Sequence, residues 1–310
     1  MALKVLFIGG YTRSGSTLLT RVLGRGEGIF DVGELRNIWK KGFGRDDPCG
    51  CGKDFRACDF WKKVIHRAFG GFDHVDWKRV LSLKQTVERP RRASFLIRPF
   101  LRNAAYQQTL REYGKMLERI LTAVQEVSSC RIVIDSSKTP EHATALGTSP
   151  KIELHVVHLI RDARATAYSW RRHKERPGPS GQVSQMHRNS YLTSARHWHR
   201  VNKATALLRD VASSFTLLRY EDFVREPREN LARILANLSE GDSVDAILSD
   251  NVVELRPSHS IGGNPNKFDS GKIEIRVDNQ WESEMSRWGR GIVTLATWRM
   301  LRNYGYLGAS

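Results

Sequence analysis

The sequence predicts an α/β fold: a P-loop-like parallel sheet flanked by helices on both faces, with helical insertions. Three observations predict it. Four short apolar runs, Leu3–Ile8, Arg131–Ile134, Leu154–Ile160 and Phe215–Arg219, lack strict alternation, as strands buried on both faces of a parallel sheet do. Helical patterns lie between and beyond them, at about Ser94–Val127, Ala163–His173, Arg188–Val211 and Glu229–Leu238. Strand and helix therefore alternate, and a glycine-bounded loop joins the first strand directly to a helix.

Taken in order, residues 1–9 carry one Lys and a short apolar run with no small-residue cleavage site, which fits a buried strand better than an export signal. Gly42–Asp59, rich in Gly, Asp and Cys, and Glu175–Gln185, rich in Pro, Gly and Ser, read as loops. Arg256–Gly271 is long for a connection in a compact domain, which marks it as functional or disordered. Trp288–Tyr304 resumes a helical pattern. No repeat is visible, so residues 1–310 read as one domain, with 85–130 as a helical insertion and 172–190 and 256–271 as loops near the active site.

The composition, 40% hydrophobic and 27% charged, is that of an ordinary globular chain without a membrane-spanning run. Fifty Lys and Arg against 33 Asp and Glu leave a formal charge of +17, which favours anionic partners. Nucleic acid, an acidic membrane surface and a phosphorylated or sulfated small molecule all meet that description. The charge is spread along the chain and no zinc-finger, RRM or KH signature is present, so no nucleic acid is expected. Four Cys are too few for a secreted disulfide scaffold, and a reducing, cytoplasmic setting is expected. Cys49, Cys51 and Cys58 with nearby His66 could be read as a zinc set, but a C-x-C start gives awkward tetrahedral geometry. Buried thiols or an opportunistic disulfide are the plainer reading, and no metal is expected.

The chemistry begins at Gly10-Tyr11-Thr12-Arg13-Ser14-Gly15-Ser16-Thr17, a strand–loop–helix junction. Backbone N–H groups and the positive end of the helix dipole converge there on any bound phosphate or sulfate. The spacing is that of a Walker A loop, except that Ser16 stands where a nucleoside triphosphatase has Lys. Arg13 adds a guanidinium that can grip such oxygens in a bidentate manner. Alone, the loop indicates a phosphorylated ligand.

Tyr11–Leu19, YTRSGSTLL, resembles the 5′-phosphosulfate loop of sulfotransferases that use 3′-phosphoadenosine 5′-phosphosulfate. Val157–Ser169, VHLIRDARATAYS, is similar to the family's 3′-phosphate motif. The resemblance implies that Arg13, Ser14, Gly15, Ser16 and Thr17 hold the 5′ side of the donor and that Arg161 and Ser169 hold its 3′-phosphate. That spacing is physically sensible: Arg161 ends a strand, and Ser169 lies about two turns into the next helix. Asp135–Pro140 resembles the segment whose Lys stands beside the transferring sulfonate, which implies charge stabilisation by Lys138. A rival reading makes Asp135 a Walker B ligand for magnesium in a kinase, although the Walker A Lys is missing.

His259–Phe268 looks like the cofactor-closing loop of bacterial members, implying donor contacts from Gly263, Asn264 and Lys267; Arg is commoner than Lys at the last position. Cys49, Cys51 and Cys58 also resemble a loop of bacterial sulfotransferases. Val32–Arg36 resembles the Gly-Glu element of carbohydrate and tyrosylprotein sulfotransferases, in which the Glu is the proposed catalytic base. Glu34 therefore reads as the base, with His155 and His158 as competitors and a plain ion pair as the structural alternative. Trp39 would line the acceptor pocket. The implied reaction moves a sulfuryl group to an acceptor hydroxyl or amine, leaves adenosine 3′,5′-bisphosphate and requires no metal. A P-loop kinase or nucleotidase and a basic nucleic-acid-binding module are the alternatives.

Overall fold

The computed structural model describes residues 2–89, 103–172, 175–177, 183–185, 187–239 and 244–308. Its strands are β1 (Leu3–Gly9), β2 (Ile29–Asp31), β3 (Ile132–Lys138), β4 (Ile152–Ile160), β5 (Glu175–Pro177), β6 (Val183–Gln185), β7 (Ser214–Arg219), β8 (Val252–Leu255) and β9 (Gly271–Glu274). Five of these form one sheet in the order β2-β3-β1-β4-β7, parallel throughout. β1 is central: Val5 pairs with Val133 on one side and Leu154 on the other.

The unbroken apolar runs follow from that placement. Leu3, Val5 and Phe7 enter one core with Val133, Leu154 and Val156, while Leu6 and Ile8 enter the opposite core with Ile132, Ile134, Val157 and Leu159. Each such Leu, Ile or Val side chain contributes roughly 1.5–3 kcal/mol by leaving water.

The helices are α1 (Ser16–Leu23), α2 (Asp59–Phe69), α3 (Trp77–Val87), α4 (Ala104–Ser128), α5 (Pro140–Leu146), α6 (Ala163–Arg171), α7 (Tyr191–Ala206), α8 (Tyr220–Arg225), α9 (Pro227–Asn237), α10 (Gln280–Glu284) and α11 (Arg287–Asn303). α2 and α4 cover one face of the sheet through Val64, Ile65, Leu117 and Leu121. α1 and α9 cover the other through Leu19, Val22, Leu231 and Ile234. α6, α7 and α11 form a third cluster around Trp198. No helix among the described residues is long and apolar enough to cross a membrane.

Several boundaries differ from the sequence expectation. The helix expected from Ser94 is described from Ala104, where the Asn103 side chain accepts from the Tyr106 amide at 2.8 Å; residues 94–102 lie outside the described residues. α2 starts within the last residue of the expected loop Gly42–Asp59, and its Trp61, Val64 and Ile65 are buried at helical spacing. Glu175–Gln185 contains an antiparallel hairpin, with Glu175 opposite Gln185, in place of a plain loop. Arg256–Gly271 connects the antiparallel pair β8 and β9, so its ends are tied together by a sheet. Trp39, expected at an acceptor pocket, is fully buried in the core against Phe43 and lines neither of the two cavities described below.

Candidate active site

β1 ends at Gly9 and the chain turns through Gly10–Gly15 into α1 at the C-terminal edge of the sheet, where open α/β sheets bind ligands. The turn holds Arg13 at φ 71°, a left-handed conformation that non-glycine residues seldom adopt. Gly15 follows at φ 89°, and a Cβ there would lie 2.3 Å from the Tyr220 ring, so glycine is required both for its backbone and for its missing side chain. A cavity of about 370 Å³ opens onto this turn. Arg13, Gly15, Ser16 and Thr17 line it from the loop, and Lys138, Arg161 and Ser169 line it from neighbouring elements. Gly263 and Asn264 close the opposite side. Ser14 is buried within the loop, and its Oγ has no hydrogen-bond partner among the described residues.

Arg161, at the end of β4, is 6% exposed. Its guanidinium lies 4.6 Å from the Tyr220 ring centre, and Nη2 donates to the Asp278 carbonyl at 2.9 Å and pairs with the Asp278 carboxylate at 3.1 Å. Asp162 does not pair with Arg161. It caps α6, accepting from the Arg164 amide at 2.7 Å, and thereby fixes the helix that carries Ser169 to the cavity.

Lys138 ends β3 at φ 66°, a second left-handed non-glycine residue on the same cavity. The register between β1 and β3 shifts between Phe7 and Gly9, which sets Lys138 beside Gly9. Its ammonium donates to Glu34 Oε1 at 2.5 Å and to the Ser136 carbonyl at 3.1 Å. Glu34 also accepts from Asn37 Nδ2 at 2.6 Å. Its neighbour Gly33, at φ 72°, sits so close to Ile261 that a Cβ would lie 2.7 Å from the Ile261 carbonyl. Burial alone would push the Glu34 carboxyl up; Lys138, Lys41 and Arg36 outweigh burial and hold it at about 2. The Glu34 carboxyl is therefore ionised at neutral pH.

A second cavity, of about 350 Å³, lies against the first. Thr12, Glu34, Lys138 and Trp170 belong to the lining of both and form the partition between them. The second cavity is also lined by Arg36, Glu88, Glu141, His197 and Arg200. Beneath the partition, Asp135 is fully buried, with Oδ1 accepting from Ser137 Oγ at 2.5 Å and Oδ2 2.8 Å from His142 Nε2. Oδ1 thus fixes the Ser136–Lys138 turn while Oδ2 is taken by His142 on α5, and Asp135 lines neither cavity, unlike a Walker B magnesium ligand. His155 and His158 are buried inside β4 away from the partition, and His158 pairs with Asn202 at 3.0 Å.

The loop 256–269 is held over the first cavity by side chains that the sequence reading did not single out. Arg21, one helical turn beyond Thr17 on α1, donates to the carbonyls of Asn266 at 3.1 Å, Asp269 at 2.5 Å and Arg256 at 2.6 Å. Its i+4 spacing from Thr17 is the signal that could have found it. Tyr220 and Asp278 also line the cavity, from segments with no motif of their own. Arg13 Nη1 donates to Asn264 Oδ1 at 3.1 Å, and its guanidinium lies 5.1 Å from the Trp170 ring centre. Lys267 is not brought to this cavity: its ammonium donates to the Pro48 carbonyl at 2.6 Å, and it lines a small adjacent depression instead. The structure therefore assembles Arg13, Gly15, Ser16, Thr17, Glu34, Lys138, Arg161, Ser169, Gly263 and Asn264 around one cavity and leaves Ser14, buried within the loop, and Lys267 outside its lining.

A sequence model of the sulfotransferase family matches residues 6–241. No curated protein matches the chain. Among solved structures, the sulfotransferase domain of the Synechococcus PCC 7002 olefin synthase is similar, with 20% identity, 99% of this chain and 96% of that one covered, and a TM-score of 0.52. The sulfotransferase domain of the curacin biosynthetic pathway is similar at 14% identity, covering 96% and 97% of the two chains, with a TM-score of 0.50.

Proposed function

The chain belongs to the sulfotransferase family, an enzyme family of transferases, and on that premise we propose that the first cavity takes 3′-phosphoadenosine 5′-phosphosulfate and the second takes the acceptor. The observation that carries this reading is the partition. A sulfuryl donor and its acceptor must approach from opposite sides of the sulfur, and one acid–base pair stands between two adjoining cavities.

The residues present suit the donor. A volume of about 370 Å³ is within the usual range for small-molecule sites. Four cations, Arg13, Arg21, Lys138 and Arg161, face it. Arg161 lines it, and its Nε is a buried donor without a partner among the described residues, as expected of a group that awaits an anionic oxygen. Arg13, Ser14, Gly15, Ser16 and Thr17 would hold the 5′-phosphosulfate, Arg161 and Ser169 the 3′-phosphate, and Gly263 and Asn264 would close over it.

The donor supplies a sulfuryl group whose bond to the bridging phosphate oxygen breaks as the acceptor hydroxyl or amine forms its own bond to sulfur, leaving adenosine 3′,5′-bisphosphate. Lys138, Arg13 and the α1 amides offset the negative charge that builds on the leaving oxygen. Glu34 accepts the acceptor's proton. A carboxylate held at about 2 is a weak base, but Lys138 is what holds it there, together with Lys41 and Arg36. When the ammonium turns from Glu34 to a sulfonate oxygen, the carboxylate loses its closest cation and becomes more basic where the acceptor stands. With cations already in place, the transfer itself does not call on magnesium.

The test is thermal unfolding with adenosine 3′,5′-bisphosphate in magnesium-free buffer. At about a hundredfold excess over the dissociation constant, stabilisation of about 2.7 kcal/mol is expected. No shift with this ligand, together with a shift by ATP and magnesium, would replace this reading with a kinase.

A further inference from the structure

We propose that Cys49, Cys51, Cys58 and His259 form a tetrahedral, four-ligand zinc site that pins the loop 256–269 to the segment preceding α2. The cysteine run does not use His66, which lies exposed on α2. Its fourth member comes from the far end of the chain.

The geometry is that of a ligand set. Cys51 Sγ and Cys58 Sγ are 3.7 Å apart, and His259 Nδ1 is 3.3 Å from Cys58 Sγ and 3.7 Å from Cys49 Sγ. All four atoms lie within 4.8 Å of one another. A tetrahedral zinc with bonds of about 2.3 Å to sulfur and about 2.0–2.1 Å to nitrogen separates its ligand atoms by roughly 3.6–3.8 Å. A disulfide would need its sulfurs at about 2.05 Å. Thiols buried merely as small apolar groups have no reason to aim three sulfurs and one imidazole nitrogen at a common point.

The surroundings prepare the same set. The C-x-C spacing is accommodated because the intervening Gly50 lies against the other loop: its N–H donates to the Ser260 carbonyl at 3.0 Å, and a Cβ would meet Ser258 Oγ at 2.6 Å. The His259 ring is stacked on Phe60 with centroids 4.7 Å apart, and its carbonyl accepts from Trp61 Nε1 at 2.8 Å. The ring nitrogen that faces the sulfurs is thus fixed by contacts outside the set. Three thiolates and an imidazole select zinc over the hard cations magnesium and calcium. Binding sends the three thiol protons to solvent. Four protein ligands leave no open position, and none of the four lines either cavity, so the ion is structural.

The decisive measurement is zinc content of the full chain, purified without chelators or a metal-affinity step, with thiols counted after denaturation. About one zinc per chain is expected. X-ray absorption at the zinc edge of the unaltered protein should show three sulfurs and one nitrogen, and cobalt substitution should give the intense visible bands of a tetrahedral thiolate site. His259→Cys should retain zinc with four sulfurs, while His66→Ala should change neither content nor spectrum. Folded protein with far less than one zinc and four free thiols, a bridged Cys51–Cys58 pair, or a weak octahedral cobalt spectrum would overturn the assignment. The wild-type measurements decide the matter even if a cysteine variant fails to fold.

Discussion

The inner wall of the first cavity and the loop facing it are held in different ways. On the inner wall, Arg13, Lys138 and Arg161 each lie at or just beyond the end of a parallel strand, so the sheet fixes their origins. The loop has no such origin. It is suspended from Arg21, which donates to three of its carbonyls, and from main-chain bonds in which Glu34 N donates to Ile261 O at 2.7 Å and Ile261 N to Val32 O at 2.9 Å. A change on the inner wall should alter chemistry or affinity while the fold stands. A change in the loop should be shared among several anchors and show up weakly.

The largest effect is expected at the partition. Glu34→Gln should bind adenosine 3′,5′-bisphosphate normally while turnover falls by about 10²–10⁴-fold. Calorimetric affinity beside steady-state rates reads both; turnover near that of wild type would leave Glu34 with only an ion-pairing role. Next comes acid stability of the sheet. Burial lowers the His158 pKa from 6.5 to about 4, with the Asn202 bond opposing this. Between those values the unfolded chain binds the proton and the folded chain does not, so stability is present above pH 6.5 and is lost as pH falls towards 4, by about 3 kcal/mol. Urea titrations across this window should show the slope, and His158→Gln should flatten it. An unchanged slope in that variant would assign the acid sensitivity elsewhere.

The third prediction concerns affinity. Arg161→Ala should weaken adenosine 3′,5′-bisphosphate by about 1.5–3 kcal/mol, the usual worth of a charged hydrogen bond. Asn264→Ala, which removes a single contact to Arg13, should cost only about 0.5–1.5 kcal/mol. If the loop variant proved the more damaging of the two, the distinction between a fixed wall and a shared suspension would be wrong.

This distinction also explains what could be read beforehand. Arg13–Thr17, Glu34, Lys138, Arg161 and Ser169 belong to contiguous strand–turn or strand–helix segments, so local pattern and family resemblance both reach them. β2 is three residues long, too short for periodicity to register. α2 did carry a signal in Trp61, Val64 and Ile65, hidden by the Gly- and Cys-rich segment before it. Arg21, Tyr220 and Asp278 serve the cavity through contacts between distant segments, which no local pattern encodes. His66 lies nearest the cysteines in sequence, whereas His259 reaches Cys58 in space from 201 positions away, a contact that no local pattern encodes. Lys267 fits the motif, yet the Pro48 carbonyl claims its ammonium.

The partition of Thr12, Glu34, Lys138 and Trp170 has an evolutionary consequence. Everything specific to the first cavity lies on one side of it, and Glu88, Glu141, His197 and Arg200 lie on the other. The Glu88 side chain is buried and paired with Arg36 and Lys84, so it is tied to the frame of the site, but substitutions at Glu141, His197 and Arg200 leave the strand ends of the first cavity untouched. On the proposed assignment of the two cavities, acceptor range and donor dependence are independently heritable traits, and a library confined to those three far positions is expected to explore new acceptors while every member keeps the same source of sulfuryl groups.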